Sequence, residues 1–441
     1  MAMTARRGSP WIAQLERKRP AVALDGNETA DTVVVGGGIS GLATAFFLLR
    51  DTDREVVLLE KDMVAHGATG HNAGQAVAAM EARFDDMVAE VGEDQVLQGC
   101  REVLSGWDRL EEVIAAVGRP GDLVRVEGVV GLDSPEAVAE WTKERQRWLA
   151  AGAPATRLVV AKGTMTELPE GAEEADHEEV LRSLRTTDRR YIAALRTHTG
   201  MLNSAVLTEA MAEHLLSSYP DRFRLYERSE GRRARLGEEV AVSTAEGTVI
   251  AQDVVLCTNG YTGVAMEACE APVVLGNVHG VVGFMVGRFG GRPPGTEAFF
   301  RSDDRTYYYL TRRAYAGRPL MCVGGPELAL EKGERYDARR DYDPQAYERL
   351  DAFARSTVDG YEGSRDMEWQ GLMGYTPGGL RLIGRDPENP NLLYNLGCNG
   401  IGLLASFMGG WKVAQLLRGA ILAPSMFDPD RLARSRVVRI V

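Results

Sequence analysis

The stretch Asp31–Gln75, DTVVVGGGISGLATAFFLLRDTDREVVLLEKDMVAHGATGHNAGQ, decides the fold. A short β-branched run, Thr32 to Val35, stops at three glycines and reads as a buried strand. Gly36, Gly38 and Gly41 then fall at G-x-G-x-x-G spacing, with Ile39 and Ser40 among them, and an apolar helical pattern runs from Leu42 to Leu49. Gly36 permits a tight turn, Gly38 lets the backbone approach a pyrophosphate, and Gly41 lets the helix pack closely on the strand. The helix N-terminus then presents free N–H groups to the phosphates. A second strand, Glu55 to Leu59, ends in Glu60 and Lys61, and Glu60 stands 24 positions after Gly36. An acid there can accept hydrogen bonds from ribose hydroxyls. A glycine triplet alone often binds nothing. Strand, turn, helix, second strand and terminal acid in this order predict an adenine-dinucleotide site.

Bulk properties narrow the class. At 441 residues the chain can bury a large core and accommodate two lobes. Its formal charge of −12, with no long basic run, argues against a nucleic-acid partner. Five cysteines, odd in number and without a C-x-x-C, argue against a disulfide framework or a structural zinc site, so no metal is expected. A reducing cytoplasm fits best. Arg6-Arg7 is not followed by an apolar stretch, so no secretory signal is expected. Ile401 to Ala423 is apolar but interrupted by Lys412, Gln415 and Arg418, which reads as a buried amphipathic helix and not as a membrane span.

The next segment, His66-Gly67-Ala68-Thr69-Gly70-His71-Asn72-Ala73-Gly74-Gln75, selects the dinucleotide. It resembles the loop and helix start of the FAD-dependent amine and amino-acid oxidoreductases of the D-amino-acid oxidase superfamily, which takes in glycine oxidase, sarcosine oxidase and γ-glutamylputrescine oxidase. There the segment often reads A-S-G-R-N-G-G and wraps the flavin. The resemblance runs from about Asp31 to about Gly419. It implies FAD as cofactor and an α/β fold in which a Rossmann-like FAD-binding domain is interleaved with an antiparallel-sheet substrate domain (an α+β lobe). Residues 29–80, 198–263 and 366–425 would form the FAD-binding domain, and 81–197 and 264–365 the substrate lobe. Residues 1–28 read as an extended N-terminal arm without assigned chemistry, and 426–441 as a C-terminal tail.

Along the chain, a helical region is expected from Ala76 to Val117 with a break at Gly92. Trp107 within it reads as core. A strand follows at Val124–Leu132, then a helix capped by Ser134 with Pro135 in its first turn. The acidic stretch Glu170–Glu179, His177 included, reads as solvated surface. A helix at Ser204–Ser218 leads to strands at Phe223–Glu227, Ala241–Thr244, Val249–Ala251 and Asp253–Cys257. The last ends in Thr258-Asn259-Gly260, an ordinary turn by pattern, and by resemblance one that lies against the cofactor; Gly231 falls where the family contacts adenine. Strands at Pro272–Met285, Tyr307–Arg313 and Met321–Val323 suggest the floor of the substrate lobe, with Tyr307 and Tyr309 on one face and Tyr308 on the other. A helix is expected at Glu348–Val358.

Trp369-Gln370-Gly371-Leu372-Met373-Gly374-Tyr375-Thr376-Pro377 is similar to the family's W-x-G-L-R-P-x-T-P block. Further on, Asn399-Gly400-Ile401-Gly402 feeds a final helix whose N–H groups would face the pyrimidine edge of the flavin. The implied reaction removes hydride from a carbon beside an amine nitrogen, and the resulting imine hydrolyses. Dioxygen or another acceptor would reoxidise the flavin, and the substrate would be a small amine or amino acid. The alternatives are a flavoprotein that acts mainly as a binding or electron-transfer partner of another protein, and a dehydrogenase or demethylase that uses a protein acceptor. Tyr307, Tyr309, Trp369, Met373 and Cys398 are pocket candidates, with no catalytic residue assigned. Two departures stand out. Met373 occupies the position where amino-acid oxidases of this group hold the substrate carboxylate with arginine, and Arg312, Arg313 or Arg381 would have to substitute. His71-Asn72-Ala73-Gly74 fits the His-x-Ala-Gly pattern in which the histidine is bonded to the flavin's 8α-methyl; the alternative is an unlinked histidine beside the flavin.

Overall fold

The computed structural model describes residues 5–118, 123–262, 278–290, 296–301, 307–331 and 333–432. Glu28–Val35 pairs in parallel with Val56–Leu59 on one side and with Thr248–Leu256 on the other. All four residues of Val56–Leu59 are buried, the near-continuous apolar run expected of a strand covered on both faces. Phe223–Tyr226 extends this smaller sheet at one edge, and the hairpin of Arg233–Arg235 and Val240–Ser243 at the other. Leu392–Leu396 joins the end of Thr248–Leu256 in parallel and carries Leu382–Arg385 antiparallel to it.

Helix Ile39–Asp51 and the final helix, Leu403–Leu417, are buried on nearly every face, as helices inside a large core must be. They cross at Gly410, where a Cβ would lie 2.8 Å from the backbone of Ala43 and Thr44. Lys412, buried within the final helix, is neutralised by Asp428 at 2.8 Å.

The larger sheet runs Arg6–Arg7, Met367–Tyr375, His279–Phe289, Arg318–Ala329, Tyr307–Tyr315, Thr296–Arg301, Val124–Leu132, Ala193–Met201, Leu158–Ala161, Ala172–Ala175, and Gln75–Val77 also pairs with Ala193–Met201. It therefore takes strands from each of the stretches 29–80, 198–263 and 366–425. One face packs on helix Pro344–Thr357: Phe284 meets Tyr347 edge-on, and Tyr308 stacks on Phe353 at 3.8 Å.

Several elements differ from the sequence reading. The helical region begins at Phe84, because Gln75–Val77 is captured as a strand; the break at Gly92 is present, with φ +86°. The strands expected at Val249–Ala251 and Asp253–Cys257 are one continuous strand, Thr248–Leu256. The expected break fell at Gln252, but pairing with Glu28–Val35 continues on both sides of it, and the carboxylate of buried Asp253 is met by Arg54 at 2.7 Å. The acidic stretch contains a short strand, Ala172–Ala175, and His177 starts a helix with its Nε2 bonded to the Tyr191 carbonyl at 2.9 Å. Of the strand expected from Pro272, residues 272–277 lie outside the described residues, and the observed strand is His279–Phe289. The capped helix is as expected: Ser134 Oγ accepts from the Ala137 N–H and Pro135 opens the first turn.

The arm is built into the core. Arg6–Arg7 pairs with Met367–Glu368, and Trp11 is wholly buried. Arg17 and Arg19 close on the buried carboxylates of Glu209 and Glu227. Among the described residues no helix is long and apolar enough to cross a membrane, and no group of three or more His, Cys, Asp or Glu is placed to hold a metal ion.

Candidate active site

A cavity of about 790 Å³ lies where the ends of the smaller sheet's strands meet the open face of the larger one. Its first wall is the glycine turn. Gly36 has φ +113°, and a Cβ there would lie 2.7 Å from the Cys257 carbonyl; a Cβ at Gly41 would collide with the Gly36 carbonyl. Gly38, Ile39 and Ser40 line the cavity at the helix N-terminus, which no side chain of its N-cap residue satisfies. Thr69 Oγ1 accepts from the Ile39 N–H at 2.9 Å and so fastens the following loop to this turn. Glu60 lines the cavity with Lys61, its Oε2 accepting from Gly37 N–H at 2.6 Å and its Oε1 from Asp62 N–H at 2.9 Å. Burial pushes the Glu60 pKa up, against the pull of those two N–H groups. Lys61 stands 4.4 Å over the Tyr261 ring.

The second wall is the His66–Gln75 loop, of which Gly67, Ala68, Thr69, His71, Asn72, Ala73 and Gln75 face the cavity. Asn72 is its hub. Its Nδ2 donates to the Thr69 carbonyl (2.8 Å) and Ser204 Oγ (2.9 Å), and its Oδ1 accepts from Gly74 N–H (2.7 Å). The Trp11 and Trp369 indoles both donate to the Asn72 carbonyl, and Ser9 donates to the Gly70 carbonyl. Gly70 and Gly74 do not line the cavity; they allow Ile12 and Trp11 of the arm to close on the loop. His71 Nδ1 is bonded to the Gly67 carbonyl at 3.0 Å, and burial lowers the imidazole pKa.

Two turns complete the cradle. Asn259 Oδ1 accepts from the Cys398 N–H at 2.9 Å and its Nδ2 points to Cys398 Sγ at 3.3 Å, so the turns after Leu256 and Leu396 are held together. Thr258, Asn259, Cys398, Gly400, Ile401 and Gly402 line the cavity, as does Gly231 at the far end. Gly260 lies under the Met373 carbonyl, and buried Asn399 props the turn from behind through Thr376 N–H at 2.8 Å. The final helix starts at Leu403 with Gly402 as N-cap and no side-chain cap, leaving its first N–H groups for a ligand.

The floor is the larger sheet, flattened by glycine. A Cβ at Gly371 would collide with the His71 carbonyl, one at Gly324 with the Tyr309 ring, and one at Gly283 would lie 2.8 Å from Met373 Cε. Tyr309 and Met373 line the cavity, and burial raises the Tyr309 pKa. The side chain of Tyr307 lies outside the described residues. Trp369 is buried beneath the loop instead of facing the cavity. None of Arg312, Arg313 and Arg381 lines it either. Arg312 donates to the Asp359 carbonyl (2.7 Å) and Arg313 lies over the Trp11 ring (5.1 Å). Arg381, held by Asn395 Oδ1 at 2.9 Å, has its pKa lowered to about 10 by burial. The arginines that do reach the cavity, Arg125 and Arg196 among them, sit at its other end, where Arg125 stacks 3.6 Å over Trp107. Trp107, read from sequence as core, is largely buried but has an edge in the cavity. Glu327 also went unnoticed in the sequence. No local pattern marks these residues, because long-range strand pairing brings them here.

The donor set fits a dinucleotide: a Cβ-free turn, two helix N-termini whose N-cap residues are glycines, and an acid at the end of the second strand. The profile of the family described as FAD dependent oxidoreductase matches residues 31–416. Over 432 residues the chain is 26% identical to the gamma-glutamylputrescine oxidoreductase of Escherichia coli (strain K12), covering 95% of this chain and 90% of that one. The fold is similar to the crystal structure of glycine oxidase from Geobacillus kaustophilus, with TM-score 0.70, 21% identity, and 91% and 98% of the two chains covered. L-proline dehydrogenase from P. horikoshii follows at TM-score 0.68 and 19% identity, with 93% and 99% covered. The sequence motifs, the cradle they build and the span of the match lead to one conclusion: the chain belongs to the FAD-dependent oxidoreductase family of the D-amino-acid oxidase type.

Proposed function

We propose that this chain binds FAD along the cradle from Gly231 and Glu60 to Gly402 and oxidises a C–N bond of a small amine or amino acid. The observation that carries the reading is the chamber that continues from the cradle over the glycine floor, bounded by Met285, Tyr309, Leu372 and Met373. FAD, when bound, supplies a hydride acceptor. The chain's residues supply the rest. The uncapped N–H groups at Gly402 and Leu403 stabilise negative charge at that end of the cradle. Hydride loss draws on the lone pair of the neutral amine, so an amine that arrives as an ammonium ion gives up its proton before the neighbouring carbon is oxidised. The product imine hydrolyses in water to a carbonyl compound and ammonia or a smaller amine, and dioxygen or another acceptor takes the electrons. Residues 29–80, 198–263 and 366–425 serve cofactor binding, and 81–197 and 264–365 substrate binding. A cytoplasmic setting is supported by Cys100, Cys257, Cys322 and Cys398, all free thiols.

We extend the proposal to His71. With Nδ1 taken by the Gly67 carbonyl, Nε2 is the nitrogen left for an 8α-linkage to flavin. Acid precipitation decides this: flavin staying with the pellet supports the linkage, and complete release rules it out. The oxidation itself is tested anaerobically with a panel of amines and amino acids. Bleaching of the visible flavin band is expected, and a failure of every member to bleach it would favour an electron-carrier role.

A further inference from the structure

The cavity floor carries one ionisable group that the oxidation reading leaves unused. Glu327, on Arg318–Ala329, is paired opposite Gly283 of His279–Phe289, and Gly283 is in turn opposite Gly371 of Met367–Tyr375. The middle strand has no side chain at that point, so the flanking strands meet across it. The Tyr375 hydroxyl reaches both oxygens of the Glu327 carboxylate, at 3.1 and 3.0 Å. Met373 fills the remaining space over Gly283. Glu327 is open to the cavity, which it lines with Met285, Tyr309 and Met373. Among the described residues its polar partner is that one neutral hydroxyl, and none of the ion pairs formed there involves it.

We propose that Glu327, oriented by Tyr375, anchors a cationic ammonium group of the substrate, so that the site selects amines without an α-carboxylate. The inference rests on the amine-oxidation reading and names the substrate class for the same chamber. A carboxylate that faces the cavity with one neutral donor lacks a counter-charge, and an ammonium ion supplies both that charge and three N–H donors. Methionine and tyrosine surfaces beside it suit an alkyl stem. A substrate carboxylate in the same place would meet like charge, and the side chain that fills the space over Gly283, Met373, offers a thioether in place of a guanidinium. Of the arginines that line the cavity, Arg83 and Arg145 lie off this sheet, before and within helices, and Arg125 and Arg196 lie on Val124–Leu132 and Ala193–Met201, three and four strands from Glu327 in the sheet order. At about 4.8 Å per strand that is roughly 14 to 19 Å away. Arg125 and Arg196 can meet a carboxylate only at the remote end of a long amine. Burial pushes the Glu327 pKa up while the Tyr375 bond opposes it, and a docked cation would hold the carboxylate ionised.

The test uses the FAD-loaded enzyme and tert-butylamine, which has no hydrogen on the carbon beside nitrogen and so cannot be oxidised there. Its carboxylate counterpart, pivalate, is the control. Saturable perturbation of the visible flavin band gives Kd for each in wild type, E327Q and Y375F. The expected result is that tert-butylammonium binds, and that E327Q raises its Kd about tenfold or more, the effect of losing one charge-assisted contact. Y375F should raise it about two- to fivefold, as befits a positioning residue, with the weak pivalate binding the same in all three proteins. A tert-butylammonium Kd within twofold between wild type and E327Q, no saturable ammonium binding, or pivalate binding as tightly as the amine would each overturn the proposal. Because the probe is unreactive, failure of the oxidation reading shows separately, as Glu327-dependent binding without bleaching by any oxidisable amine.

Discussion

Replacing Trp11 by alanine should loosen the cofactor loop from a position far from it in sequence. Trp11 is wholly buried, packs against Gly74 with a ring carbon 3.4 Å from where a Cβ would stand, and donates to the Asn72 carbonyl. Truncating a buried tryptophan to alanine costs about 3–5 kcal/mol through lost burial and the cavity left behind. The Arg313 guanidinium, 5.1 Å from the Trp11 ring centroid, adds about 0.5–1 kcal/mol, which puts the expectation towards the upper end. The Asn72 carbonyl is not orphaned, since the Trp369 indole still donates to it at 3.3 Å, so no further desolvation penalty enters. Trp11→Phe keeps most of the volume and loses the N–H, and should cost about 1 kcal/mol. Urea unfolding at fixed FAD concentration reads the stability. Flavin fluorescence, which rises as the isoalloxazine becomes accessible to water, reads the loop. A loss below about 1 kcal/mol for Trp11→Ala with unchanged flavin fluorescence would mean that the arm merely lies on the surface, and the reasoning would be wrong.

Gly371→Ala would drive a methyl group into the His71 carbonyl, so the larger sheet should survive while FAD affinity falls about tenfold or more; full FAD occupancy in the purified variant would sink this account. Glu227→Gln should cost about 3 kcal/mol, because the fully buried carboxylate accepts from Arg17 at 2.6 Å, Arg19 at 2.8 Å and Val64 N–H at 2.7 Å. Burial alone would raise the Glu227 pKa, but the bonds from Arg19, Val64 and Arg17 outweigh it and hold it low. Its contribution is therefore complete above the ordinary glutamate pKa of about 4.3 and is lost as pH falls through the lower folded value. Glu209, in the same cluster, is pushed the other way by burial and softens the slope; three donors on Glu227 make its direction the one that governs. Urea midpoints between about pH 5 and pH 3 should fall more steeply in wild type than in Glu227→Gln, and parallel curves would contradict the assignment.

The sequence by itself determined the parts of this protein whose requirements are local. Gly36, Gly38 and Gly41 are legible because a tight turn and a close helix–strand approach within a few residues leave no alternative to glycine at those positions. Ser134-Pro135 and Asn203 mark helix starts for the same reason: caps act within one turn, and Asn203 accepts from Ala205 and Val206 N–H as a cap should. Alternation in Tyr307-Tyr308-Tyr309 placed Tyr308 and Tyr309 on opposite faces, but only the packing of Phe353 decided that Tyr308 takes the helix side and Tyr309 the cavity. Trp369 looked like a pocket residue because its neighbours are; the register that puts it opposite Met285 aims it under the loop instead. The N-terminal arm reads as an extended polar chain without assigned chemistry, since nothing local shows that Arg17 and Arg19 will meet Glu209 and Glu227. The meeting of Glu327 with Tyr375 depends on three strands and two registers. Tertiary structure decided these features because side-chain partnership across a sheet is fixed by pairing between distant segments, and short-range pattern carries no record of it.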